Sequence, residues 1–176
     1  HMQTINIFLG SSFRLMNYRK KIGETARILN EKWLSKGIQI YLFKWEDFRP
    51  EYRGKSKQEE YIDEMVLKSE ICIFLFSDSI GKFTKRELEA KLVQNPNAVH
   101  VYRVKAVVPK NNKKKCTEYT YIWKDEIKDE LNKLCGSCHD LEDETAAADE
   151  LIKLVEEYID NNDLVNKTIT PTHAWY

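Results

Sequence analysis

The chain carries no excess of charge of either sign, and it contains no long apolar run. Its 176 residues include 28 Lys and Arg and 28 Asp and Glu, so the formal net charge is zero. Proteins that bind nucleic acids generally need a basic excess to neutralise phosphates, so this balance argues against a nucleic-acid partner. No apolar run reaches the roughly 18 residues of a membrane span, and the first residues show no signal-peptide pattern. We therefore expect a cytoplasmic protein without a membrane partner.

Cysteine is scarce, and both glycine-rich nucleotide-binding patterns are missing. Four cysteines, one of them inside an apolar run, are typical of reduced thiols in an intracellular protein. Residues 135–139 match the C-x-x-C-H pattern of haem attachment, which needs an exporting context, and a zinc site would need two further ligands. We therefore expect no metal and no cofactor, and we interpret Cys135, Cys138 and His139 as loop residues. Neither G-x-x-x-x-G-K-[ST] nor G-x-G-x-x-G occurs.

Short apolar segments alternate with helical patterns in the first part of the chain. Apolar and β-branched runs predict strands at 5–9, 38–43, 71–76 and 99–104, the last with 105–108 as a candidate continuation. Helical spacing predicts helices over about 16–35, 57–68 and 84–94. Crossover helices of this length place parallel strands in one sheet. We therefore predict a flavodoxin-like, doubly wound α/β fold: a mainly parallel sheet of four to five strands with helices on both faces.

The second part of the chain is less regular. The patterns predict a short strand at 119–123, a helix at 124–134, a loop at 135–144 and an amphipathic helix at 145–160. In the third helix of the chain, Leu88, Leu92 and Val93 are predicted to face the core. We interpret residues 1–2 as a tag remnant, 3–160 as a single domain, and 161–176 as a tail or a linker to a further domain after Tyr176.

Glu87 is the residue on which the functional prediction depends. Thr84 and Glu87 match the T-x-x-E capping box. In this motif the glutamate side chain accepts a hydrogen bond from the N-cap backbone N–H of its own helix and has no further role. Alternatively, Glu87 lies at the ligand-binding edge of the sheet, where loops lead from strand ends into helix N-termini. A carboxylate there would hold sugar hydroxyls and stabilise an oxocarbenium-like centre. The sequence leaves both interpretations open.

Two further segments end strands at the same edge of the predicted sheet. Residues 11–14, S-S-F-R, offer short side chains, free backbone amides and a guanidinium that would receive a phosphate, although a plain turn fits equally well. Trp45 follows the second strand, where it would stack on a base or a nicotinamide ring, or alternatively close over the core.

Taken together, these segments resemble the Toll/interleukin-1 receptor (TIR) superfamily, in particular its bacterial TIR-like members. The resemblance rests on I-N-I-F-L-G-S-S, L-F-K-W-E-D, S-E-I-C-I-F-L-F and G-K-F-T-K-R-E, which occupy residues 5–12, 42–47, 69–76 and 81–87. The helix after the third strand carries a W-x-x-x-E motif in that family, and its glutamate is the catalytic residue of TIR NAD hydrolases. Here Phe83 stands at the tryptophan position, and Glu87 keeps the spacing.

The resemblance implies an NAD glycohydrolase or cyclase that cleaves the nicotinamide–ribose bond, with NAD as substrate and Glu87 as catalytic residue. It further implies self-association and a role in bacterial anti-phage immunity. The residues implied to bind the substrate are Ser11, Ser12, Phe13, Arg14, Trp45, Asp47, Ser79, Gly81 and Phe83. Two alternatives stay open: a non-catalytic TIR-like scaffold, and an enzyme of the nucleoside deoxyribosyltransferase type.

Overall fold

A computed structural model describes residues 2–44, 56–110 and 119–169 of the chain. In chain order the elements are β1 (Gln3–Gly10), α1 (Met16–Leu34), β2 (Ile38–Phe43), α2 (Lys57–Tyr61), β3 (Ile71–Phe76), α3 (Lys82–Gln94), β4 (Val99–Val104), β5 (Ala106–Pro109), β6 (Tyr119–Ile122), α4 (Asp125–Cys135), β7 (His139–Leu141), α5 (Glu144–Asn161) and α6 (Leu164–Ile169).

The central sheet has five strands in the order β2-β1-β3-β4-β7, and every neighbouring pair is parallel. From β1 the chain first moves outward to β2 and then returns past β1 to β3. The order of winding therefore reverses between β1 and β3, as it does in flavodoxin-like sheets. This topology confirms the predicted doubly wound α/β fold.

Strand alternation divides the core into two layers. In β3, Ile71, Ile73 and Leu75 contribute to one buried cluster, whereas Cys72, Phe74 and Phe76 contribute to the other. The first cluster packs against α1 and α5, and the second packs against α2, α3 and α4. All six residues of β3 are buried, as expected for an apolar strand that is covered on both faces.

The start of α2 is a capping box formed by Ser56 and Glu59. The Ser56 hydroxyl accepts a hydrogen bond from the Glu59 backbone N–H at 3.2 Å, and the Ser56 N–H donates to Glu59 Oε2 at 3.3 Å. The helix then widens into one π-helical turn over Ile62–Val66, which the Leu67 N–H closes on the Ile62 carbonyl. Met65 and Val66 are buried against the sheet.

Two predictions for the segment after β4 are wrong. Residues 106–108 do not continue β4, because β5 turns away and pairs antiparallel with β6 in a separate two-stranded sheet. The predicted loop at 135–144 contains β7, which extends the central sheet beside β4. This strand has only three residues, and Leu141 alone is buried, so it shows no apolar run by which the sequence would reveal it.

Two further predictions need correction or extension. Val93 is 89% exposed, because it lies about 100° around α3 from Leu92, which packs partly buried on the inner face. The segment predicted as a tail contains α6, whose Leu164 is buried in the core beside α5, and residues 170–176 lie outside the described part of the chain. Among the helices that the structure describes, none is long and apolar enough to cross a membrane.

Candidate active site at the carboxyl edge of the sheet

The loops that follow β1 and β3 meet at the point where the winding of the sheet reverses. The chain leaves β1 towards α1 on one face and leaves β3 towards α3 on the other face. Arg14 Nη1 and Asp78 Oδ2 form an ion pair of 2.8 Å that joins the two loops. In open α/β sheets a crevice at this position is the usual ligand site.

The structure places Glu87 in the second turn of α3, so the capping-box interpretation of this residue is wrong. The helix begins at Lys82 with Gly81 as its N-cap residue, which has an extended backbone and offers no side chain for capping. Thr84 is therefore the third helical residue and Glu87 the sixth. A side chain at that position leans towards the helix N-terminus, which lies at the carboxyl edge of the sheet.

Glu87 is a carboxyl group enclosed by protein. Only 8% of the residue is exposed, and this burial raises the pKa of the carboxyl group to about 8. The positive charge of Arg19 acts in the opposite direction and lowers the pKa. At neutral pH the free protein therefore holds Glu87 mainly in its protonated form, with a guanidinium nearby to favour ionisation.

Arg19 is the charged residue that acts on Glu87, and it also contacts the loop after β1. It lies in the first turn of α1 and is itself only 3% exposed. Its Nη1 donates a hydrogen bond of 2.9 Å to the hydroxyl of Ser11. Arg19 of α1 therefore contacts the loop after β1, and its charge acts on Glu87 of α3.

Sequence reasoning missed Arg19, although a signal was present. Arg19 precedes Ile22, Ala26 and Leu29 at helical spacing, so it occupies the apolar stripe of α1, and all four residues are buried. A charged residue at a core-facing position is expensive unless it is paired or functional. Asp78, the partner of Arg14, also went unnoticed within the turn that follows β3.

The other predicted site residues that the structure describes lie in the loops after β1 and β3 and at the start of α3. Ser12 is exposed, and its carbonyl accepts the Leu15 N–H at 3.1 Å, within the short helical turn Phe13–Leu15 that precedes α1. Ser79 and Gly81 are exposed in the loop after β3. Phe83 is 65% exposed at the start of α3, and its carbonyl accepts a hydrogen bond from Gln58 Nε2 at 3.0 Å. Trp45 and Asp47 lie outside the described residues.

A second polar cluster at the same edge holds β7 in place. Arg103 of β4 is 5% exposed and binds Asp140 through two hydrogen bonds of 2.9 Å, from Nε and from Nη2. The guanidinium also lies 4.0 Å from the ring centre of Trp123. Arg103 and Lys128 hold the pKa of Asp140 below its usual range. Because the arginine is fully engaged, we assign this cluster to structure rather than to catalysis.

The C-x-x-C-H segment forms the junction between α4 and β7. Cys135 is the last residue of α4, and Cys138 is buried immediately before β7. Burial raises the pKa of the Cys138 thiol to about 11, which disfavours the reactive thiolate. Across residues 2–44, 56–110 and 119–169, no three His, Cys, Asp or Glu side chains converge as a metal site.

Comparison with known proteins does not assign the chain to a family. No protein-family model matches it, and no curated protein matches it. Among solved structures, it is similar to S. aureus homoserine dehydrogenase at pH 7.0, with 18% identity and a TM-score of 0.38 over 80% of this chain. A second structure of that enzyme at pH 6.0 gives 17% identity and a TM-score of 0.37 over 82% of this chain. The chain spans about a third of the length of those proteins, 33% in both cases, and the fold assignment rests on its own strand order.

Proposed function

We propose that this protein cleaves the nicotinamide–ribose bond of NAD and that Glu87 is the catalytic residue. The supporting observation is the enclosure of the Glu87 carboxyl group beside the switch point of the sheet, with Arg19 as its charged neighbour. The resemblance of residues 81–87 to the glutamate motif of TIR NAD hydrolases leads to the same residue.

In the proposed reaction, the bond between ribose C1′ and the nicotinamide nitrogen breaks, and its electron pair leaves with nicotinamide. The positive charge that develops on the ribose is stabilised by the Glu87 carboxylate, as carboxylates do in glycoside cleavage. Water then adds to C1′ and releases a proton, which gives ADP-ribose. If a nucleophile of the substrate itself adds instead, the product is cyclic.

The raised pKa of Glu87 is compatible with this role. The nicotinamide ring of NAD is cationic, and a cation bound close to a carboxyl group lowers its pKa and so favours the carboxylate. Since the site is shielded from water, that carboxylate would act on the developing charge more strongly than an exposed one. Substrate binding would thus generate the reactive form of the residue.

The loop residues have roles in this proposal that suit their positions. Ser11 and the exposed Ser12 would contact the nicotinamide half of the substrate, and Arg14 would contact the diphosphate. Arg14 is 54% exposed, so it is accessible to a phosphate while its ion pair with Asp78 fixes its position. Self-association and a role in bacterial anti-phage immunity belong to the same proposal and rest on the resemblance alone.

The substrate is tested by incubating concentrated protein separately with NAD and with deoxynucleosides, followed by chromatographic identification of the products. We expect nicotinamide together with ADP-ribose or its cyclic form from NAD, and no base exchange between deoxynucleosides. Base exchange without nicotinamide release would instead identify a deoxyribosyltransferase and reject NAD cleavage.

A further inference from the structure

β2 forms an open edge of the central sheet. It pairs with β1 on one side and, within the described part of the chain, with no strand on the other. The Gly37 carbonyl accepts the Gln3 N–H of β1 at 2.9 Å. The Ile40 N–H instead donates to Asn30 Oδ1 of α1 at 2.8 Å. Because backbone groups alternate in direction along a strand, the even-numbered residues of β2 present their N–H and C=O groups to the open edge.

β2 lacks the features that usually keep an edge strand from pairing with another chain. Such features include proline, charged side chains, bulges and very short length. The sequence of β2, I-Q-I-Y-L-F, contains neither proline nor a charged residue, and its register with β1 is uninterrupted from Ile38 to Phe43. The N–H of Ile40 is covered by the side chain of Asn30 and not by another strand. An edge of this kind is a template for an extended segment of another chain.

The side of this edge that faces α1 is basic, although the whole chain is neutral. A groove of about 430 Å³ lies there between α1 and β2, and Lys20, Arg27 and Lys44 line it against the single carboxylate of Glu24. Arg27 shares its charge with Glu31 at 3.2 Å. Lys20 and Lys44 form no ion pair within the described part of the chain. An added strand would meet mainly positive charge on this side, which favours acidic side chains.

The opposite side of the same edge is aromatic. Ile40 packs in the core cluster beneath α1, so strand alternation places Tyr41 on the other face of the sheet. Tyr41 is 43% exposed, and its ring contacts Phe43 edge to face, with centroids 4.7 Å apart. Cross-strand pairs of an aromatic and a β-branched side chain are favourable. An added strand would therefore gain most if acidic residues alternate with β-branched apolar ones.

We propose that the β2 edge binds an extended acidic peptide of a partner protein as a sixth strand of the sheet. The peptide backbone pairs with the outward groups of β2, and one of its carbonyls replaces Asn30 Oδ1 at the Ile40 N–H. Alternate acidic side chains face Lys20 and Lys44, and the apolar side chains between them face Tyr41. The helix segment that lines the groove, residues 20–30, spans about 15 Å, which matches about five residues of extended chain. The site is independent of the proposed NAD cleavage, because none of these residues takes part in that reaction.

The test is a fluorescence-anisotropy titration of the full chain with a labelled, end-blocked peptide of sequence Glu-Val-Glu-Val-Glu-Val. We expect this peptide to bind, and to bind more weakly as salt is added, because its charge contacts are exposed. A peptide with lysine in place of glutamate should bind at least about tenfold more weakly. A peptide of the same charge in which every backbone amide is N-methylated should not bind, since it cannot donate to β2. Equal binding of the methylated peptide would exclude strand pairing and overturn the proposal.

Variants of β2 and α1 locate the site. Leu42→Pro removes an outward N–H without removing a hydrogen bond to β1, which an edge strand tolerates, and it should abolish binding. Leu42→Ala keeps that N–H and should retain most of the affinity. Replacing both Lys20 and Lys44 by glutamine should weaken binding by about tenfold or more.

Three results would contradict the proposal. The first is peptide binding that survives in folded Leu42→Pro, which would place the peptide elsewhere. The second is unchanged affinity after loss of both lysines, a result that decides the matter even if the proline variant does not fold. The third is an absence of peptide binding to the unmodified chain. If that chain also sediments as a dimer and Leu42→Pro as a monomer, the edge pairs with a second copy of the chain.

Discussion

At the scale of single residues, the catalytic proposal for Glu87 carries a cost in stability. The pKa of this carboxyl group is about 8 in the folded chain and 4.5 in its ordinary state. Between these values the unfolded chain releases a proton that the folded chain retains, so stability falls as the pH rises through this window. A residue that serves only the fold would not be expected to have this effect.

Glu87→Gln should therefore stabilise the protein at alkaline pH. Glutamine has the shape of the protonated carboxyl group but no proton to lose. We expect equal free energies of unfolding for the two proteins near pH 4, and a gain for the variant on the order of 2–4 kcal/mol above pH 8. Urea denaturation at both pH values measures this difference, with the exposed Glu89→Gln as a control that should change little. A variant less stable than the parent at both pH values would contradict burial as the origin of the shift.

Arg19 is expected to act through Glu87 rather than on the substrate. Removing its charge with Arg19→Met leaves burial unopposed, so the pKa of Glu87 should rise further. The pH at which NAD cleavage reaches half of its maximum should then move upward, while Arg19→Lys should restore part of the shift. The measurement is kcat/KM against pH for the three proteins. A uniform loss of activity without movement of the profile would show that Arg19 merely supports the fold.

At the scale of secondary-structure elements, β7 depends on Arg103. Replacing this buried arginine by methionine removes the two shortest hydrogen bonds of the Asp140 carboxylate. We expect Arg103→Met to lower the free energy of unfolding by about 2–3 kcal/mol, less than for a fully buried pair because Asp140 is 27% exposed. Urea denaturation of the variant measures this loss.

The matched control is Lys128→Met, which removes the other cation that contacts Asp140, at 3.0 Å. Both side chains of this pair are partly exposed, so the expected loss is below about 1 kcal/mol. Since Arg103 lowers the pKa of Asp140, its stabilising effect is present at neutral pH and lost as the pH falls below the ordinary value of 3.8. Equal losses for the two variants at neutral pH would refute the special role of Arg103.

The same elements explain where sequence patterns succeed and where they fail. β3 was predicted to the residue because six apolar side chains form its signal. β7 was missed because its position is fixed by an ion pair between distant residues, which leaves no local pattern. The T-x-x-E pattern was misleading because it places the N-cap residue at Thr84, whereas the N-cap residue of α3 is Gly81, three residues earlier. Gly81 has no side chain for capping.

At the scale of the whole molecule, the sequence predicted the topology of the sheet. It predicted only some of the residues that form the candidate site. Alternating strands and crossover helices limit the chain to a parallel sheet, and the edge at which loops meet follows from that. The residues of those loops, such as Ser11 and Arg14, could therefore be predicted as site residues from the sequence. Arg19 is visible in the sequence as a charge in the apolar stripe of α1, but its contact with Ser11 and its influence on Glu87 could not be predicted, because they depend on how α1 is oriented against the sheet.

The central claim is tested most directly by nicotinamide release from NAD, measured side by side for the unmodified protein, Glu87→Gln and Glu89→Gln at high protein concentration with a crowding agent. We expect release by the unmodified protein and by Glu89→Gln, and a loss of at least about a hundredfold in Glu87→Gln, as is typical when a group that stabilises transition-state charge is removed. Equal release by all three proteins would show that Glu87 is not the catalytic residue. No release by any of them would contradict NAD cleavage by this domain.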